Sequence, residues 1–223
     1  MLSEENKVQF QENLLNWFVK FQRDFPWRRT SNPFYVLLAE KLLQQTVARQ
    51  TVVDAYSKLI TDYPDPFSLS QAEIGDIEDV IRPLGFLYRA KELRFLAQEL
   101  VDRHDGQIPA NLADLLALTG VGDYAARAVL SFAFRQVVPI VDTNVARLLY
   151  RIFGINEPLP ANPARKKHLI NLAQEMLPSK KTREYNLALL DLCALVCKPQ
   201  NPQCNQCPVR KFCIYGLSNG NVT

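Results

Sequence analysis

Leu118-Thr119-Gly120-Val121-Gly122-Asp123-Tyr124-Ala125-Ala126-Arg127-Ala128-Val129-Leu130-Ser131-Phe132, and then Val137-Val138-Pro139-Ile140-Val141-Asp142-Thr143-Asn144, is the stretch around which the chain is organised. Two glycines flank one apolar residue, and a helical pattern starts directly after them. Glycine admits positive φ and lets another backbone approach closely. The helix start offers unpaired N–H groups and a positive dipole end, which suit a phosphate oxygen. Tyr124 falls in that first turn, and an apolar run about twenty residues on ends in Asp142, just before the next helix. A phosphate anchor and an acid are therefore expected one helix apart. Gly-Val-Gly alone occurs in many ordinary turns; the whole string is far more specific.

The chain has 223 residues, enough to bury a core in one domain or two small ones. Apolar residues at 48% and charged residues at 22% are globular values. No apolar run reaches the roughly 18 residues of a membrane span, and the polar, acidic start at Met1–Lys7 lacks the pattern of a signal peptide. These features predict an intracellular, cytoplasmic protein without a membrane partner. The net charge of +3 is mild, so any nucleic-acid contact must be a local basic patch.

Working outward, Leu112–Leu118 reads as a helix leading into the glycine turn, so the pattern is helix, hairpin, helix. Val8, Leu14, Leu15, Phe18 and Phe21 predict an amphipathic helix over 8–22. It stops at Arg23-Asp24-Phe25-Pro26-Trp27-Arg28-Arg29. That loop reads either as a DNA surface, with Trp27 stacking and Arg28 meeting phosphate, or as a cation–π-laced turn. A long helix is predicted over 34–59, with Val36, Glu40, Leu43 and Val47 on one face. Glu40 thus stands where a core residue belongs, and a buried carboxylate has the raised pKa of a general acid; periodicity alone equally allows it to turn to solvent or pair with an arginine. The amides of Gln44 and Gln45 suit a duplex interior, although polar helix surface explains them equally well. Gly85 precedes a basic helix start at Arg89, a second place for a phosphate. Val137–Val141 reads as a buried connector, Thr143 or Asn144 as the cap of the next helix, and Asp142 alone as no more than a capping residue. About ten helices and no paired strands make the chain all-α.

Five cysteines lie in the last 31 residues and none elsewhere. Cys197, Cys204, Cys207 and Cys213 form C-x6-C-x2-C-x5-C, a set able to surround one metal centre. Four-cysteine zinc is the commoner chemistry, but the gaps of six and five are long for paired zinc knuckles. Cys193, one helical turn before Cys197 in an apolar segment, reads as core.

The hairpin L-T-G-V-G-D-Y, the trailing V-D-T-N, the helix L-A-E-K-L-L-Q-Q-T and the cysteine tail, in this order, resemble the HhH-GPD DNA glycosylases, which include endonuclease III, MutY and the thymine mismatch glycosylases. The resemblance covers about residues 14–214. It implies a six-helix barrel domain with the helix–hairpin–helix, here 29–135, and an iron–sulfur domain from 1–28 and 136–223, with the active-site cleft between. It also implies a [4Fe–4S] cluster on the four cysteines, in place of zinc. Asp142 matches the catalytic aspartate, which stabilises the oxocarbenium-like sugar or orients water. Tyr124 stands where endonuclease III-type enzymes carry a Schiff-base lysine. A phenol forms no Schiff base, so a monofunctional glycosylase without efficient AP lyase activity is expected. Glu40 matches the glutamate that protonates adenine in MutY, Gln44 and Gln45 its duplex-filling glutamines, and Gly120, Val121 and Gly122 the phosphate-binding hairpin. Trp27, Leu187 and Asn144 are expected at the base pocket, and Arg28 and Arg89 on the DNA.

Leu187 replaces a polar MutY residue near the adenine, and the chain lacks MutY's C-terminal extension. In both respects, and in Arg23–Arg28, it resembles the thymine enzymes, whereas Gln44-Gln45 is MutY-like. An apolar contact suits a thymine methyl. The expected substrate is double-stranded DNA with thymine or uracil mispaired with guanine, bound by a monomer that flips the base out. The alternative is adenine opposite guanine or 8-oxoguanine. A different class, a non-catalytic DNA-binding module, would retain hairpin and cysteines without the chemistry of Asp142.

Overall fold

A computed structural model of the chain describes residues 2–218. The described residues form α-helices joined by turns and short 3-10 segments, without strands. The helices are α1 (Glu4–Phe21), α2 (Pro33–Leu43), α3 (Gln50–Asp62), α4 (Pro66–Ser70), α5 (Ile74–Ile81), α6 (Arg89–His104), α7 (Leu112–Leu116), α8 (Asp123–Phe132), α9 (Thr143–Phe153), α10 (Lys167–Glu175), α11 (Thr182–Leu195) and α12 (Ile214–Ser218). None is long and apolar enough to cross a membrane.

The chain divides into two compact units, one of Met1–Arg23 with Arg135–Thr223, the other of Asp24–Phe134. The first boundary lies nearer the N-terminus than the expected break after residue 28. The reason is Trp27, which belongs to the core of the second unit with Phe34, Leu38, Tyr56 and Leu93. That unit carries α2 to α8, seven helical segments where six were expected, two of them only five residues long.

In the second unit, Asn32 caps α2 by accepting from the amides of Phe34 (2.9 Å) and Tyr35 (3.3 Å), and Pro33 occupies the first turn. Asp65 and Ser68 form a reciprocal capping box at α4. The expected single helix over 34–59 is two helices, because α2 ends at Leu43 and Gln45 takes a left-handed φ of 55°. Carbonyls released at that end are met by a cation distant in sequence, Arg89. Its guanidinium donates to the Leu42 oxygen (3.0 Å), the Thr46 hydroxyl (3.1 Å) and the Gln44 oxygen. Val47, expected on the Glu40 face, is in the connecting turn and exposed.

In the first unit, Ser3 caps α1 and Glu4 and Glu5 complement its positive end. The buried stripe of α1 is Phe10, Leu14 and Phe18, four residues apart, and the helix packs on α11. Val8 lies two residues from that stripe, about 200° around the helix, and is exposed like Phe21, against the expectation for both. The segment Val137–Val141 pairs with no strand; Ile140 and Val141 are buried, and Asn186 Nδ2 donates to the Val138 oxygen at 2.9 Å. Arg23 donates its backbone N–H (2.9 Å) and its Nε (2.6 Å) to the fully buried carboxylate of Asp191.

Candidate active site and DNA-binding hairpin

The hairpin has the geometry that its two glycines predict, each for a different reason. Gly120 adopts a φ of 70°, where an L side chain is strained. Gly122 is extended and is the N-cap of α8, with open space where a Cβ would stand. The turn is braced from within. The Thr119 amide donates to Glu99 Oε2 at 2.7 Å, and the Val121 amide to the Leu118 oxygen at 3.2 Å. The Gly120 oxygen accepts from Lys41 Nζ (3.0 Å) and Gln44 Nε2 (3.2 Å). Val121, expected among the DNA contacts, is buried and its amide closes the turn. Tyr124 lies in the first turn of α8, half-buried.

Glu40 is 7% exposed on α2, so the burial that its helical position predicts is present. Gln44 and Gln45 are not on that helix; they form the turn after it, Gln44 half-buried and Gln45 exposed. Arg89 is not available to a phosphate. It is 2% exposed, and its donors go to the α2–α3 turn. Sequence reasoning missed the pair beside it: Phe86 and Tyr88 are exposed large aromatics with centroids 6.1 Å apart. Arg89 lies under the Phe86 ring at 4.7 Å. Phe86 has a left-handed φ of 56° directly after Gly85 at 71°. The local signal was Gly85 followed by three large apolar or aromatic residues.

Trp27, expected at the base pocket, packs in the core of the second unit. It is 8% exposed, stacked on Phe25 (4.8 Å, 7°) and edge-on to Tyr56 (5.4 Å, 78°). Its flanking arginines have local work: Arg28 lies over the Phe25 ring at 5.5 Å, and Arg29 pairs with Asp24. That pairing lowers the Asp24 carboxyl pKa.

In the first unit Asp142 is itself the cap of α9, in place of Thr143 or Asn144. Its Oδ1 accepts from the Val145 amide at 2.7 Å and its Oδ2 from Asn144 Nδ2 at 2.8 Å. Two bonds on two oxygens fix the rotamer and leave each oxygen a second lone pair. Asn144 is exposed and accepts from Arg147, whose other nitrogen donates to the Cys197 carbonyl at 3.0 Å. Leu187 is buried on α11.

A family model described as HhH-GPD superfamily base excision DNA repair protein matches residues 39–178, which include Glu40, the hairpin and Asp142. The chain belongs to the HhH-GPD superfamily. It is 36% identical to a thymine/uracil-DNA glycosylase of Pyrobaculum aerophilum over 93% of this chain and 92% of the relative. It is 34% identical to the adenine DNA glycosylase of Rattus norvegicus, over 92% of this chain but 41% of the relative. The solved structure of a thermostable thymine-DNA glycosylase superposes with a TM-score of 0.88 at 32% identity, covering 96% of this chain and 98% of that one. The hairpin and the all-helical fold are thus those of HhH-GPD DNA glycosylases.

The four cysteines of this HhH-GPD chain line a single apolar-walled cavity with Leu148, Ile152 and Val209. None is in a disulfide. Among the described residues no three ligand side chains gather closely enough to hold one ion. Burial pushes the Cys207 thiol up to about 12 and raises Cys213, with neighbouring cysteines adding to both shifts. Such thiols need a cationic centre to become thiolates. Donors already face two of the sulfurs: Arg151 Nη1 reaches Cys197 Sγ at 3.2 Å, and the Gly216 amide reaches Cys213 Sγ at 3.3 Å. Four thiols around one cavity, with N–H donors facing two of the sulfurs, are a donor set that fits an iron–sulfur cluster. Cys193 is buried outside this cavity, its thiol donating to the Asn144 oxygen at 3.3 Å.

Proposed function

We propose that the chain is a monofunctional, mismatch-specific DNA glycosylase that releases thymine or uracil opposite guanine and leaves an abasic site. The observation that carries this reading is the 36% identity to a thymine/uracil-DNA glycosylase, supported by the 0.88 superposition on a thymine-DNA glycosylase. Apolar Leu187, buried on α11, agrees with a pyrimidine methyl contact. The enzyme acts as a monomer on duplex DNA inside the cell.

In this reading the first-turn amides of α8, with Gly122 as cap, hold a backbone phosphate. Arg28 adds a further phosphate contact, and the exposed Phe86–Tyr88 pair stacks on bases left behind by flipping. The N-glycosidic bond breaks with its electron pair on the departing base. The Asp142 carboxylate, oriented by Val145 and Asn144, stabilises the positive sugar. Glu40 gives its proton to the departing base, and the water that adds to the sugar carbon returns a proton to the Glu40 carboxylate. Tyr124 lines the flipped nucleotide and supplies no amine. Lys41 does not replace it, because the residue is 1% exposed and its Nζ is bound to Glu92 and Gly120.

Cys197, Cys204, Cys207 and Cys213 would hold a [4Fe–4S] cluster, whose cationic core would keep the four thiols deprotonated and cross-link otherwise irregular segments. Acid treatment of the purified protein is expected to release iron and inorganic sulfide in equal amounts. Zinc without sulfide would return the site to a single-ion reading.

The test of function uses duplexes bearing T/G, U/G, A/G and A/8-oxoguanine. Cutting of T/G and U/G only after alkali, with no borohydride-trapped adduct, is the expected result. Cutting of the adenine duplexes would favour the second reading, which Gln44-Gln45 and the 34%-identical adenine glycosylase support. A trapped adduct would show a lyase.

A further inference from the structure

The geometry points to Lys41 as a positioning residue that couples the phosphate-binding hairpin to the α2–α3 turn, so that two DNA-facing loops move as one. The inference rests on the glycosylase reading above for its DNA contact, and on geometry within one unit for everything else.

Lysine is among the residues least often buried without a partner, yet Lys41 is 1% exposed in the body of α2. Its ammonium meets the Glu92 carboxylate of α6 at 3.0 Å and the Gly120 oxygen at 3.0 Å. The same oxygen accepts from Gln44 at 3.2 Å, so one carbonyl joins the tip of the hairpin to the first residue after α2. Lys41 also stands in the space that a Cβ on Gly120 would need. The absence of that Cβ therefore serves the left-handed φ and also admits the ammonium. Arg89 completes the other side, holding the Gln44 and Leu42 carbonyls. Glu99, seven residues and two turns after Glu92 on α6, holds the Thr119 amide.

Two consequences follow for DNA. The Gly120 carbonyl is turned inward by two donors, so its negative end is held away from an incoming phosphate. A positive charge, only partly offset by half-exposed Glu92, is fixed beneath the loop, where low dielectric lengthens its reach. Lys41 touches neither base nor sugar in this account. Its loss should weaken the grip on DNA and leave the chemical step nearly untouched.

Lys41→Met keeps length and apolar packing while removing the charge and all three donors. The double variant Lys41→Met/Glu92→Gln also neutralises the carboxylate left behind, and carries the test if the single variant does not fold. Dissociation constants would be measured on a duplex containing a tetrahydrofuran abasic analogue, alongside single-turnover excision at saturating DNA. Hydrogen exchange of the Thr119 and Val121 amides would be followed in DNA-free protein. We expect dissociation constants about tenfold higher, a single-turnover rate within threefold of the parent, and hairpin amides exchanging at least tenfold faster while those of α3 stay unchanged. Binding within twofold of the parent, or hairpin exchange within twofold, overturns the assignment, as does a rate that falls as far as the affinity. If the parent chain itself binds none of the duplexes, the glycosylase reading fails, and hairpin exchange alone decides the role of Lys41.

Discussion

Asp142→Asn is expected to lower base release by about 10³ to 10⁴, equivalent to roughly 4 to 5.5 kcal/mol of transition-state stabilisation, while the protein folds and binds DNA normally. The substitution separates two functions of one side chain. Asparagine caps a helix as well as aspartate, and its oxygen can keep the bond from Val145 that now measures 2.7 Å. What it cannot keep is the negative charge that faces the developing oxocarbenium ion. Asp142→Ala would confound the two effects, since loss of the cap alone costs about 1 kcal/mol. Single-turnover excision, a binding assay on the abasic analogue and a thermal melt make the measurement complete. Retention of release within tenfold would reduce Asp142 to a cap. Absence of release from the parent protein on every duplex would favour a non-catalytic DNA-binding module.

Trp27→Ala is expected to destabilise the protein by about 3 to 5 kcal/mol, the usual cost of removing a large aromatic from a core. In a chain of this length that corresponds to a fall in melting temperature of roughly 6 to 20 °C. The indole loses its stack on Phe25 and its edge contact with Tyr56, and no neighbour can fill the space without moving α2 or α3. Excision per folded molecule, measured well below the melt, should stay within about threefold of the parent. A stable variant with excision abolished would return Trp27 to the base pocket.

These two residues also show what could be read from the sequence. The backbone settings of Asp142, Tyr124 and the glycines were legible because they are local: a turn, a helix start, a cap within three residues. The burial of Glu40 was legible because helical periodicity places it beside Val36 and the rest of the α2 core. The burial of Trp27 was hidden because three nearby arginines make the loop read equally well as a nucleic-acid surface or as a cation–π-laced turn. Their actual partners, Asp191, the Phe25 ring and Asp24, could be assigned only with the fold known. The break between α2 and α3 was hidden for a similar reason. The helix former Gln45 takes a left-handed conformation, and the group that satisfies the freed carbonyls, Arg89, lies more than forty residues away. Lys41 and Glu92 were invisible as a pair because they are 51 residues apart on different helices. The cysteine spacing suggested one centre and left its kind open; the cavity that all four share agrees with a single centre.

The contact between Lys41 and Gly120 also constrains the order in which a lineage could have acquired the two residues. A Cβ at position 120 would meet the Lys41 ammonium, so a lysine at 41 keeps its present place only beside a glycine; otherwise its flexible end must swing away and give up the Gly120 oxygen. Glycine at 120, in contrast, needs no lysine; its left-handed φ is reason enough. A chain with glycine and without lysine therefore carries no conflict, whereas one with lysine and without glycine has the ammonium turned out of the turn. Once the lysine is present, even asparagine at position 120, a side chain that tolerates a left-handed backbone, displaces the ammonium. Substitution there then costs the tie to α2 as well as backbone strain, so a turn at the surface is held to glycine by the core beneath it.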